Sequence, residues 1–221
     1  MKITVFDTET TGIIPKNYDN LNNCPYMLQL ASITYDTSSH SIISHINNII
    51  KISDDITIPK TVSDINSITK ERTNSEGVEI CHVLNKFNNQ LKNTDLLVAH
   101  NAEFDINIIN FECMRNNIKN NYYDLGKDKV FCTMSKGTQL CKIKKVNSKG
   151  SYYKWPKLEE LHNYLFGSVP KNLHDAYNDL LICLRCYMYM NYKIDIVEKN
   201  VEIKNKILSM INDNNINELS H

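Results

Sequence analysis

The stretch "KITVFDTETTG", residues 2–12, decides the fold. A run holding Ile3, Val5 and Phe6 belongs deep in a sheet, and on a strand the side chains at i and i+2 leave the same face roughly 6.5 Å apart. Asp7 and Glu9 therefore share a face. Two unpaired carboxylates repel each other by about 4 kcal/mol at 4 Å with an effective dielectric of 20, and by less at wider spacing. A positive group is expected between them. Magnesium suits such a place, because it takes one or two protein carboxylates and leaves its other positions to water and phosphate. The alternative is a strand that ends in a polar turn built from Thr10, Thr11 and Gly12.

The chain as a whole permits one substantial core. It has 221 residues, 42% of them hydrophobic, and its 25 basic residues balance 25 acidic ones, so bulk charge does not make it a coat for nucleic acid. An enzyme that grips a few phosphates through metals and a local patch remains compatible with that balance. The beginning of the sequence carries no basic region followed by an apolar stretch, and no run of about 18 apolar residues occurs. The expectation is an intracellular protein, cytoplasmic or nuclear, with no membrane span. The 7 cysteines lack regular spacing and read as reduced thiols. Cys183 and Cys186 form a CxxC, yet they sit in an apolar helical pattern with no second ligand pair at zinc spacing, which makes them buried thiols.

Along the chain, a polar loop from Pro15 to Pro25 precedes "YMLQLASITYD", a strand by its apolar and β-branched content. The stretch "SIISHINNIIKI" reads as a third strand, giving an antiparallel meander. From Ser75 onward the period becomes helical through Val78, Cys81, Val83, Leu84, Phe87 and Leu91. A short buried strand, "DLLVAH", is followed by a helix from about Glu103 to Asn117. Next come "KVFCTM" as a strand and "KLEELHNYLFG" as an amphipathic helix closed by Gly167. The last strong helix is "DAYNDLLICLRCYMYMNY", capped by Asp175, with Ala176, Leu180, Cys183, Leu184 and Tyr187 as its buried stripe. Strands first and then alternating helix and strand predict an α/β sheet of mixed direction. Residues 1–192 read as one domain, and 193–221 as a helical or frayed extension in which "NDNNINELSH" frays.

Three stretches each bring a carboxylate to a boundary between strand or loop and helix, where open α/β sheets place ligands. They are "FDTETTG", "AHNAEFD" with Asp105, and "HDAYND" with His174 and Asp179. Asp105 alone could be an acid favoured by the helix dipole. His174 and Asp179 would lie about 140° apart on a continuous helix. They can meet only if Asp175 caps the helix and His174 belongs to the incoming loop.

D-x-E at 7 and 9, Asp105 after "AHNAEF", and H-x-A-x-x-D at 174 to 179 together closely resemble the DEDDh family of 3′-to-5′ exonucleases. That family has the ribonuclease H-like fold and includes epsilon-type proofreading subunits, and the likeness covers about residues 1 to 190. The resemblance implies a ribonuclease H-like mixed β-sheet, its first three strands antiparallel, flanked by helices. It also implies two divalent ions, Mg2+ or Mn2+, held by Asp7, Glu9 and Asp179 directly and by Asp105 mainly through water. His174 would take the proton from the attacking water, a task suited to an imidazole near neutral pH. A sister branch uses a tyrosine at a differently spaced position, and Tyr177 is the local competitor. Thr10, Thr11 and Gly12 resemble the loop beside the 3′-terminal nucleotide, while Asn101 and Phe104 resemble residues near the penultimate sugar and base.

The implied reaction is hydrolysis at the 3′ end of DNA or RNA with release of nucleoside 5′-monophosphates. The implied partner is a nucleic acid 3′ end, single-stranded or frayed, and a role in proofreading would add a DNA polymerase. A catalytically silent binding module and an endonuclease of related fold are the competing readings. Oligomeric state is not written in the sequence. One more stretch, "KIKKVNSKGSYYKWPK" at 142–157, interleaves lysines with Tyr152, Tyr153 and Trp155. Such a pattern can hold a single strand without reading its bases, or it can be a solvated loop whose aromatics pack on the core.

Overall fold

A computed structural model describes residues 1–17 and 20–211 of the chain; the predicted frayed end, 212–221, lies outside the described residues. Its centre is a five-stranded sheet in the order β3-β2-β1-β4-β5. Strands β1 (Lys2–Thr10), β2 (Met27–Asp36) and β3 (Ser41–Ile49) form the antiparallel meander. Strands β4 (Leu96–Ala99) and β5 (Val130–Cys132) add to β1 in parallel. This is the ribonuclease H-like arrangement that the sequence predicts.

Two apolar layers close on the sheet. Ile3, Val5, Ala31, Ile33, Tyr35 and Val98 point to the face covered by α7 (Leu158–Phe166), α8 (Ala176–Tyr192) and α9 (Val201–Ile211). Phe6, Leu28, Leu30, Leu97 and Ala99 point to the other, against α3 (Ile80–Leu91) and α4 (Ala102–Arg115). The two-residue period of β1 therefore assigns Asp7 and Glu9, in phase with Ile3 and Val5, to the α8 side. Helix α8 is wrapped rather than striped: besides the predicted face, Leu181, Ile182, Arg185, Cys186 and Met188 are buried. Cys183 and Cys186 are free, buried thiols, as their setting in that helix predicts.

Several elements depart from the expected pattern. Val78 belongs to an isolated parallel bridge with Ile50 and not to α3. The stretch "KVFCTM" divides between β5 and α6 (Thr133–Cys141), and α6 buries only the small residues Thr133, Gly137 and Thr138. Short helices α1 (Lys60–Asn66) and α2 (Lys70–Glu76) precede α3, and α5 (Tyr122–Leu125) follows α4. Residues 142–157 contain a separate two-stranded hairpin, β6 (Lys144–Asn147) with β7 (Gly150–Tyr153).

Beyond Tyr192 the chain continues to contribute to the core, through Ile196, Ile203, Ile207 and Met210. A buried polar chain fixes the turn. Arg185 donates from Nε and Nη2 to the Asp195 carboxylate at 2.9 and 2.6 Å, stacks 3.9 Å over the Phe166 ring, and donates from Nη1 to His162 Nε2 at 3.0 Å. His162 must then donate from Nδ1 to the Ser168 carbonyl at 2.8 Å, which requires the neutral ring; burial lowers its pKa to about 4. Removing one member of such a set strands the other. Asp195→Ala is expected to lower stability by about 3 kcal/mol in urea titration, and Arg185→Met added to it should recover part of that loss.

Candidate active site

Strand β1 is longer than its parallel neighbour. It pairs with β4 only from Ile3 to Val5, while its pairing with β2 runs to Thr10. Residues 6–10 thus have β2 on one side and a crevice on the other. The N-terminal turn of α4 fills part of that crevice: Asp105 accepts the Thr8 backbone N–H at 3.0 Å and the Thr8 hydroxyl at 2.7 Å. A carboxylate here replaces the missing strand, and it brings a third acid beside Asp7 and Glu9.

The fourth acid comes from α8. Asp175 caps that helix, its side chain accepting the Asn178 N–H at 3.0 Å. Gln29, opposite Glu9 in the β1–β2 register, donates to Asp175 Oδ2 at 3.2 Å and accepts the Ala176 N–H at 3.2 Å. The first turn of α8 is thereby clamped to β2, and Asp179 sits one turn inside it. Asp7, Glu9 and Asp179 each offer a carboxylate oxygen, and these oxygens lie within 4.8 Å of one another. Asp105 is buried next to this trio, with one oxygen committed to Thr8.

Burial and mutual repulsion raise every one of these acids. Asp7 is held well above the usual carboxylate range, first by burial and then by the charges of Asp105, Asp179, Glu9 and Asp175. Burial pushes Glu9 to about 7 against a hydrogen bond from Asn66, and Asp105 to about 7 against those from Thr8. Asp179 rises to about 8, by burial and then by the Glu9 charge. Its Oδ1 is buried without a hydrogen-bond partner among the described residues. Hard oxygen donors crowded in this way, one of them orphaned, fit a divalent cation.

His174 stands at the rim in the left-handed region, φ 73°. Its backbone N–H, at 3.2 Å, donates to Asp179 Oδ2. The side chain is exposed and borders a polar cavity of about 430 Å³ with Asn66, Arg72 and Asn172. Tyr177 borders the same cavity but is half-buried against the α8 and α9 core, where burial raises its phenol. Thr10 is buried and donates to the Gly12 carbonyl at 2.6 Å. Thr11 exchanges hydrogen bonds with Tyr26, and with Gly12 it borders a second cavity of about 420 Å³. That loop is pinned by Arg115, which donates to the carbonyls of Leu21, Cys24 and Pro25. Asn101, with φ 71°, precedes α4 and borders a third cavity, whereas Phe104 packs on the α3–α4 core.

Sequence reasoning missed Thr8, Gln29 and Asn66. Gln29 had a signal, since it is an amide in a strand whose first nine residues are all buried. Asn66 reaches Glu9 from α1, with no local pattern to announce it.

The mixed sheet thus gathers acids from three distant segments at the end of its first strand. The family model RNase_T, described as exonuclease, matches residues 4–187. DNA polymerase III subunit epsilon of Treponema pallidum (strain Nichols) is 33% identical over 109 residues, which are 49% of this chain and 45% of that protein. E. coli Exonuclease I in complex with a dT13 oligonucleotide superposes with a TM-score of 0.63 at 17% identity, covering 96% of this chain and 46% of that one. A 3′-exonuclease that recognises the histone mRNA stem-loop gives a TM-score of 0.64 at 12% identity, covering 88% of this chain and 65% of the other. The chain belongs to the DEDD-type 3′-to-5′ exonuclease family.

The raised acids give the cation-free protein a defined pH response. A carboxyl whose folded pKa lies above its unfolded value, here about 7 to 8 against about 4, stabilises the fold fully below about pH 4. That contribution is lost as the pH rises through 7 to 8. In EDTA the thermal midpoint should therefore fall between pH 5 and 8, and Asp7→Asn should restore about 1–2 kcal/mol at pH 8. Excess Mn2+ should narrow the gap between variant and wild type.

Proposed function

We propose that this chain is a cation-dependent exonuclease of the histidine branch. It would hydrolyse phosphodiester bonds at the 3′ end of DNA or RNA and release nucleoside 5′-monophosphates. The observation that carries this reading is the meeting of carboxylate oxygens of Asp7, Glu9 and Asp179 within 4.8 Å, with an oxygen on Asp179 that has no partner among the described residues. Asp7, Glu9 and Asp179 would hold Mg2+ or Mn2+, with Asp105 beside them. Two such ions would supply charge stabilisation to the entering and leaving oxygens of an in-line displacement.

The remaining work falls to the protein. Asp105 holds the end of β1 through Thr8, on the side where β4 no longer pairs with that strand. The left-handed turn at His174 spends its backbone N–H on Asp179 and leaves the imidazole exposed at the rim, free to accept a proton from the attacking water at a ring nitrogen. Tyr177 is packed toward α9, which favours the histidine as the base. Thr10, Thr11 and Gly12 form the lip on which the terminal nucleotide would rest, with Asn101 and Phe104 on the side of the penultimate one.

Relatives of this fold are described with DNA and with an mRNA stem-loop, so both substrates belong in the test. The epsilon relative adds a polymerase as a partner to be sought. Matched single-stranded DNA, duplex DNA with a mismatched 3′ end, and RNA should be digested with Mg2+, Mn2+ or EDTA. A 5′-labelled strand should give a ladder in the presence of cation and none in EDTA. His174→Ala should lower kcat by about 10²–10⁴-fold while Mn2+ affinity, read by calorimetry, stays near wild type. Equal loss of both would remove His174 from the role of base.

A further inference from the structure

The hairpin β6–β7 has no part in the core. Every residue from Lys144 to Asn147 and from Gly150 to Tyr153 is exposed. Tyr152 is 49%, Tyr153 47% and Trp155 67% exposed, so these aromatics do not pack on the core as a structural loop would require. An isolated two-stranded hairpin is at best marginally stable, yet this one is tied down at its neck. Lys154 N–H donates to the Ile143 carbonyl at 2.9 Å, and Lys154 Nζ reaches both oxygens of Glu160 at 2.6 Å.

The anchor leads straight to the active site. Burial pushes His100 down to about 4, so its ring is neutral. Its Nε2 must donate to the Pro156 carbonyl at 3.1 Å, leaving Nδ1 to accept the Thr133 hydroxyl at 3.0 Å. His100 is followed by Asn101 and then by α4, which carries Asp105. Trp155 lines a cavity of about 490 Å³ together with Asn101 and Glu103 of that helix start.

The hairpin also has a chemistry. Residues 142–157 hold 6 lysines and no acid. Lys154 is neutralised by Glu160 and Lys157 by Glu159, while Lys144 and Lys145 make no ion pair among the described residues. Cross-strand register places Lys144 opposite Tyr153 and Lys145 opposite Tyr152. Successive strand residues face opposite ways, so Lys144 and Tyr153 share one face and Lys145 and Tyr152 the other, and Trp155 follows two residues beyond the end of β7. A cation and rings leading to the cavity bordered by Asn101, at the start of the helix that carries Asp105, match the alternating phosphates and bases of an unpaired strand.

We propose that the Lys144–Tyr153 face of this hairpin, with Trp155 just beyond its neck, grips the single strand on the 5′ side of the reacting end, phosphate against Lys144 and bases against the two rings. This rests on the exonuclease reading above and extends it to a second contact surface.

Trp155 is the only tryptophan, so its fluorescence reports the contact directly. Unlabelled oligo(dT) and oligo(U) 12-mers are titrated in EDTA, and steady-state digestion with Mn2+ is followed on the 12-mers and on trinucleotides. Saturable quenching is expected, and its affinity in the Lys144→Ala variant should show a log–log salt slope shallower by about 0.7. Tyr153→Ala should raise KM for 12-mers by about tenfold or more, with kcat and trinucleotide digestion unchanged, while Tyr152→Ala stays within about twofold of wild type. Quenching by oligo(U) but not oligo(dT), or the reverse, identifies the strand and supports the grip. Unchanged fluorescence at a concentration that saturates digestion overturns it, as does an equal effect of Tyr152→Ala and Tyr153→Ala. Saturable quenching without any digestion leaves the grip standing and overturns the catalytic reading instead.

Discussion

Carboxylates confined to one small, poorly hydrated crevice repel one another, and much of this structure can be understood as the means of holding them there. Asp7 feels Asp105, Asp179, Glu9 and Asp175 in addition to its burial. A fold gains nothing from such crowding in the absence of a cation, since each acid is ionised only at a higher pH than in the unfolded chain. The arrangement persists because rigid elements impose it. Strand β1 is central in the sheet, α8 is buried around most of its circumference, and α4 is locked to the β1–β2 loop by the Arg115 donors and by Glu112, which accepts the Met27 N–H at 3.0 Å.

The same constraint explains which supporting contacts are polar and buried. Thr8 and Asn66 touch the acids Asp105 and Glu9, Gln29 touches the cap Asp175, and each of the three is buried. Thr8 and Asn66 donate to carboxylate oxygens, lowering part of the electrostatic cost, and Gln29 bridges β2 to both the cap and the first backbone N–H of α8. An apolar residue at any of these three positions would leave a carboxylate without a donor or the Ala176 N–H without its acceptor.

Legibility in the sequence followed the source of stability. Strands β1, β2 and β4 and helices α3, α4, α7 and α8 were readable because each buries apolar side chains, whereas β3 buries Ile46 alone. Helix α6 was not: it buries Thr133, Gly137 and Thr138, and a Cβ on Gly137 would come within 3.0 Å of Leu161, so the helix is selected for closeness and not for hydrophobicity. Helices α1 and α2 bury one polar residue each, Asn66 and Thr73, and leave no apolar periodicity to detect. The hairpin escaped for the opposite reason, because both of its faces are exposed and alternation has nothing to distinguish. Of the site, the acids and the histidine were visible as spaced motifs. Their donors were not, since a threonine, a glutamine or an asparagine acquires its meaning only from where the chain folds back.

The cap of α8 shows how one local rule can set a long-range geometry. Asp175 accepts the Asn178 N–H and so fixes where the helix begins, which forces His174 into the left-handed turn outside it. Had the helix begun two residues earlier, His174 would have been its first helical residue, and its backbone N–H would have been drawn into the helix end. Asp179, one turn in, would keep its place on α8 but lose the donor it now has at 3.2 Å. A capping residue is usually considered for the few tenths to 2 kcal/mol it contributes to stability. Here its position also decides that the His174 N–H, from outside the helix, reaches the Asp179 carboxylate one turn within it.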